Sequence, residues 1–98
     1  MKFAAWIEYI TDKELVDRHR PAHRQYSSEL LQTGKLAASG PLTDGFGALF
    51  VYETETAEAA ESLLKADPFF KSGVFARWSI RPWNVVRANR SLFPDGAA

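Results

Sequence analysis

The 98-residue chain contains no cysteine, one methionine and only two histidines. Without thiols there is neither a disulfide nor a thiolate metal ligand, a composition compatible with a reducing, cytoplasmic setting. Net charge is absent too. Twelve Lys and Arg balance twelve Asp and Glu, which removes the electrostatic case for nucleic acid or an anionic membrane surface as a partner. No apolar run approaches the ~18 residues of a membrane span. The opening Met-Lys-Phe-Ala-Ala-Trp turns polar too early for a signal peptide. Also missing are a Gly-rich phosphate loop, a nucleophile elbow, a dinucleotide fingerprint and any internal repeat. What remains is a small chain that is 46% apolar and 13% aromatic, enough to fold around a core rather than stay disordered. A reaction, if the chain catalyses one, must rest on side-chain acid–base work and substrate electronics, without a cofactor.

Both histidines and three arginines fall in one stretch, Arg18 to Ser27, around Pro21. Histidine is the side chain whose proton moves most readily near neutral pH, so this stretch holds the natural candidates for a general base. Around it the chain reads as alternating strands and helices. Phe3 to Tyr9 is largely apolar on both alternating sets, the pattern of an inner strand covered on two sides. Thr11 to Glu14 matches a capping box and starts a helix near Asp12. Pro21 should break that helix into a short first piece and a longer second one, with Pro21 in its first turn and Ala22, Tyr26 and Leu30 on its buried stripe. Gly34 is the expected left-handed stop. Lys35 to Leu42 and Phe46 to Glu53 read as strands around the turn Thr43-Asp44-Gly45. Thr56 to Ala66 has helical spacing and ends before Asp67-Pro68. Val74 to Val86 is the last strand, with Val74, Ala76, Trp78 and Ile80 on one face and Phe75, Arg77, Ser79 and Arg81 on the other. Residues 1–86 form one domain in this reading, and 87–98 a loosely held tail.

The order β-α-β-β-α-β is that of the α+β ferredoxin-like fold, four antiparallel strands with the helices on one face. The other face would carry several large aromatics, and stacking two such faces in a homodimer is the direct way to cover them. Three motifs in this order carry a resemblance: Arg20-Pro21-Ala22-His23, Ser39-Gly40-Pro41, and Ala66-Asp67-Pro68-Phe69. Together they resemble the YciI (YCII-related) family of the dimeric α+β barrel superfamily, alongside muconolactone-isomerase-like enzymes. The resemblance covers residues 1 to about 86. It implies a cofactor-free enzyme for dehydrochlorination or isomerisation of chlorinated ring-cleavage products or hydroxyquinones, with a catalytic His–Asp dyad mapping onto His23 and Asp67. The Leu42–Phe46 hairpin is shorter than in many members, and the tail has no counterpart.

The residues themselves leave alternatives open. In the reading above His23 lies at a helix start, where the positive end of the dipole favours a neutral, base-competent ring. A carboxylate beside it would orient that ring, but backbone or water bonds would also satisfy it. Asp67 reads equally as the cap of a short turn begun by Pro68. Ser39, Gly40 and Pro41 offer amides and a hydroxyl to a substrate oxyanion, or simply end an edge strand. Arg20 is the arginine placed to bind a substrate carboxylate or phenolate, and Phe69 is a further candidate for the substrate site. His19 reads as surface. A metal site is not expected, because Pro21 separates His19 from His23 and no third ligand is spaced nearby. The alternative to an enzyme is a binding or accessory domain that uses the same apolar site without chemistry, since this fold hosts many functions.

Overall fold

The computed structural model describes residues 1–94. Strand β1 (Lys2–Tyr9) leads into helix α1 (Lys13–Gln32). Strands β2 (Leu36–Pro41) and β3 (Gly47–Glu53) form a hairpin, followed by helix α2 (Ala57–Lys65), a single helical turn α3 (Pro68–Lys71) and strand β4 (Phe75–Trp83). The sheet order is β2-β3-β1-β4, with every pairing antiparallel. This is the expected ferredoxin-like α+β arrangement, with α3 added between α2 and β4. Of the tail expected over 87–98, Arg90–Leu92 form a 3-10 turn and residues 95–98 lie outside the described residues.

Alternation along β1 and β3 sets the core. Phe3, Ala5 and Ile7 lie opposite Tyr52, Phe50 and Ala48, and all six are buried beneath the helices. Val16 and Leu30 of α1, Leu36 of β2, Ala60 and Leu64 of α2, and Phe69, Val74 and Phe75 complete the cluster. Gly47 is required where β3 meets β1, because a Cβ there would collide with the Ile7 carbonyl. On the other side of the sheet, Trp6 stays 49% exposed beside an exposed Leu49, and Trp83 stays 48% exposed opposite Lys2. β1 is therefore an inner strand of the sheet, but within this chain only one of its faces is covered. The open face carries Trp6 and Trp83 among Arg77, Ser79 and Arg81, with exposed Phe46 packed against Trp6 at 6.1 Å. Simple alternation groups Phe75 with Arg77, Ser79 and Arg81, and a register shift separates it from them. Glu8 pairs with Arg77 but Tyr9 with Phe75, so Ala76 bulges out and Phe75 turns into the core.

The main departure from expectation concerns Pro21. Helix α1 runs unbroken from Lys13 to Gln32, with Pro21 inside it. Its start is capped by Asp12, whose carboxylate accepts from the Leu15 amide at 3.2 Å, rather than by a Thr11 capping box. Pro21 has no N–H for the Asp17 carbonyl, a loss of about 3 kcal/mol in a helix interior. Asp17, Pro21, Ala22, Arg24 and Gln25 are all exposed, so water can serve the orphaned carbonyl. The buried stripe is Val16, His23 and Leu30, two turns apart, with Leu15, His19 and Tyr26 half-buried beside it. Ala22, expected on that stripe, faces solvent. Burying Val16 and Leu30 stabilises by roughly 1.5–3 kcal/mol each, enough to hold the helix together through the proline. At the far end Gly34, at φ 78°, closes a Schellman motif in which the Lys35 amide donates to the Leu30 carbonyl at 2.8 Å.

Because the helix is continuous, Pro21→Ala should restore one backbone bond and stabilise the protein by about 1–3 kcal/mol. Urea denaturation reads this as a higher midpoint at unchanged slope. A lower midpoint would mean that the proline shapes the native helix.

Candidate active site

The site is assembled from the middle of α1, the turn α3 and strand β3. Asp67 caps α3, its Oδ1 accepting from the Phe69 amide at 2.9 Å, and Pro68 occupies the first helical position. Gly73, at φ 85°, closes the other end in a second Schellman motif, with the Val74 amide donating to the Phe69 carbonyl at 2.8 Å. One turn of helix pinned at both ends thus fixes Asp67 and Phe69 in place.

His23 meets them from α1. Its Nδ1 lies 2.8 Å from Asp67 Oδ1 and 2.9 Å from Oδ2. The imidazole stacks on Phe69 with centroids 4.1 Å apart and planes 7° from parallel, and Phe50 of β3 lies near-parallel at 5.5 Å. Asp67 is 1% exposed and His23 9%. An ionised carboxylate only accepts hydrogen bonds, so Nδ1 carries the proton and donates it. The lone pair of the neutral ring then sits on Nε2. That nitrogen has no partner among the described residues and is not sealed from solvent. The arrangement can take up a proton at Nε2 while Asp67 stabilises the resulting imidazolium.

Capping and pairing with His23 both fall to the same carboxylate, so the two readings of Asp67 hold together. The helix-start argument for His23 does not: the residue lies in the middle of a 20-residue helix, away from either dipole end. Arg20, one turn earlier on α1, is half-buried and bonded to Asp17 at 3.3 Å. Ser39 sits on the outermost strand directly opposite Phe50, one ring away from His23, while Gly40 and Pro41 pair with Leu49 and Ala48 farther along that edge. None of these three bonds to the dyad. Phe69 is fully buried and stands behind the imidazole, as its stacking platform rather than as an open wall of the site. His19 is half-buried, not free surface. Two shallow concavities in the chain lie elsewhere, one beside Met1, Lys2 and Trp83 and the other beside Trp6 and Phe46, so neither forms a pocket over His23. Among the described residues no three His, Cys, Asp or Glu side chains converge as a metal set requires.

Three tyrosines surround the dyad, and sequence reasoning passed over them as sites. Burial pushes the Tyr9 phenol up to about 12, with Arg20 pulling it back and Asp67 adding to the rise. Burial pushes the Tyr52 phenol well above its usual range, with Asp67 and Tyr26 contributing, and the Tyr52 hydroxyl is buried without a hydrogen-bond partner among the described residues. Tyr26, also raised by burial and then by Asp67, donates to the Leu63 carbonyl at 2.7 Å and ties α1 to α2. The strand positions of Tyr9 and Tyr52 and the helix-stripe position of Tyr26 signalled only core packing. The clue to a shared setting is their convergence on one buried carboxylate, which needs the fold to be seen.

The YCII-related domain matches residues 1–84 of the chain. The chain belongs to the YCII-related family. Protein YciI of Escherichia coli O6:H1 is 32% identical over 77 residues, covering 68% of this chain and 79% of the relative. Protein YciI of Shigella flexneri matches to the same extent. Among solved structures, the 5-chloro-2-hydroxyhydroquinone dehydrochlorinase TftG from Burkholderia phenoliruptrix AC1100, in complex with 2,5-dihydroxybenzoquinone, superposes with a TM-score of 0.74. It is 24% identical, and the match covers 86% of this chain and 94% of that one. At that identity the likeness speaks for the fold. No helix among the described residues is long and apolar enough to cross a membrane.

Asp67→Ala would strand the buried Nδ1–H of His23 and the Phe69 amide, so a loss of about 2–4 kcal/mol is expected in urea denaturation. Asp67→Asn, which keeps an acceptor oxygen, should cost roughly half of that. A change below about 0.5 kcal/mol in Asp67→Ala would contradict the structural role assigned here.

Proposed function

We propose that this protein is a small cofactor-free enzyme that moves protons on a hydroxylated, conjugated ring, with His23 as general base and Asp67 as the group that orients it. The observation that carries the reading is the bond from His23 Nδ1 to a buried carboxylate, with Nε2 left open. The solved dehydrochlorinase of the same fold, holding a dihydroxybenzoquinone, supports a substrate of the hydroxyquinone class, with or without chlorine.

The chemistry needs one base. His23 Nε2 removes a ring hydroxyl proton and the oxygen's electron pair moves into the ring. The imidazolium then delivers that proton to a conjugated ring carbon, which is an isomerisation. Where that carbon bears chlorine, loss of a second hydroxyl proton to His23 drives electrons through the ring and expels chloride. The net change is loss of HCl, with no oxidant or reductant. Such rings are already activated, so placement and one oriented base suffice. Arg20 and the amides and hydroxyl of Ser39 and Gly40, flanked by Pro41, are the proposed holders of the ring's anionic oxygens.

The reading includes a cytoplasmic homodimer formed through the open sheet face, where Trp6, Leu49 and Trp83 are exposed. Sedimentation at micromolar concentration should show a dimer; a monomer would contradict this part.

His23→Ala should lower kcat on a chlorinated hydroxyhydroquinone by ~10²–10⁴. Asp67→Asn should lower kcat with little change in substrate affinity. The wild-type rate should rise with pH through one ionisation that is absent in His23→Ala. Near wild-type kcat in His23→Ala would exclude the dyad and leave a ligand-binding domain as the better account.

A further inference from the structure

Tyr9 has no role in the proton transfer described above, yet the fold takes trouble to place it. It is the last residue of β1, its amide donating to the Phe46 carbonyl at 2.9 Å. The bulge at Ala76 turns Phe75 onto the same face, where the Phe75 and Tyr9 rings lie parallel, 9° apart in plane, with centroids at 6.1 Å. Bulges recur where a sheet must re-aim a side chain beside a site. The edge of Tyr9 also packs against Phe69, 5.4 Å away at 74°, the same ring that carries the His23 imidazole. The Tyr9 ring is therefore held by two buried aromatics, one of them shared with the base.

Its hydroxyl is treated differently from that of its neighbours. Tyr26 spends its proton on the Leu63 carbonyl. The Tyr9 hydroxyl has no hydrogen-bond partner among the described residues, and unlike that of Tyr52 it is not sealed from solvent. The charges that bear on it are those of Arg20 and Asp67. Arg20 lies one helical turn before His23 on α1 and is steadied by Asp17. With the phenol held up at about 12, Tyr9 keeps its proton at physiological pH, so toward an anionic oxygen its hydroxyl donates.

We infer that Tyr9 is a substrate-positioning residue: its hydroxyl, with the Arg20 guanidinium, holds a second anionic oxygen of the ring whose first oxygen gives its proton to His23. This rests on the acid–base reading above and sharpens it. The substrate is a ring bearing at least two acidic oxygens, and a ring with a single hydroxyl is a poor one.

The test uses 4-nitrocatechol, an acidic coloured ring with two adjacent oxygens whose absorbance reports its ionisation, titrated against the full-length protein, with phenol-type 4-nitrophenol as the one-oxygen comparison. Wild type should bind 4-nitrocatechol at least tenfold more tightly than 4-nitrophenol. Tyr9→Phe, which keeps the aromatic packing, should lose roughly ten- to hundredfold in affinity for 4-nitrocatechol. It should lose much less for 4-nitrophenol, with an unchanged thermal midpoint. Arg20→Gln should weaken binding comparably, and the double variant should lose less than the sum, since the two donors serve one oxygen. Wild-type affinity in Tyr9→Phe, or no preference for the two-oxygen ring, would overturn the inference. His23→Gln separates this from the reading on which it rests. If it abolishes turnover while Tyr9→Phe binds normally, the base stands and the positioning role falls. If Tyr9→Phe and Arg20→Gln weaken binding while His23→Gln leaves turnover intact, the positioning role stands without the dyad.

Discussion

The structure turns on one buried imidazole. His23 occupies a position on α1 where spacing with Val16 and Leu30 calls for an apolar side chain, and it is accepted there because two things meet it. Asp67 takes its Nδ1–H, and Phe69 takes its face. Removing either would leave a polar ring in the core without compensation, which is costly in a medium that cannot hydrate it. The short turn α3 is built around that demand, with proline and aspartate at its start and glycine at its end. The same contacts that stabilise α3 also fix which imidazole nitrogen is free.

This dual use leaves the imidazole packed on its Nδ1 side and open at Nε2, where the proposed substrate would meet it. Asp67 and Phe69 are buried, and the Phe50 ring of the central sheet backs the imidazole. Arg20, Tyr9 and the edge strand bearing Ser39 stand nearer the solvent. A base held on packed elements loses little to reorganisation during reaction, whereas recognition groups at the rim set which ring is held.

Much of this was legible in the residues, and the failures are specific. Strand and helix order, the left-handed Gly34 and the capping role open to Asp67 follow from local chemistry, while the pairing of His23 with Asp67 comes from the motifs that carry the family resemblance. Pro21 misled because its local cost is real. The sequence does not display that its missing bond faces water while Val16, His23 and Leu30 anchor the opposite side. Phe75 misled because a bulge changes alternation by one residue, and Ala76 gives no sign of it. Tyr9 and Tyr52 went unnoticed because an apolar strand pattern hides a hydroxyl, and only the packed fold shows that both lie near one buried carboxylate.

The central claim is that Asp67 fixes the neutral tautomer of His23 so that Nε2 is the free base. Nitrogen NMR of the labelled protein, correlating the ring nitrogens with the ring carbon protons of His23, reads this directly. The account predicts a protonated Nδ1 and an unprotonated Nε2 in the neutral ring, with the preference weakened in Asp67→Asn. A neutral ring protonated at Nε2 in the wild-type protein would contradict it.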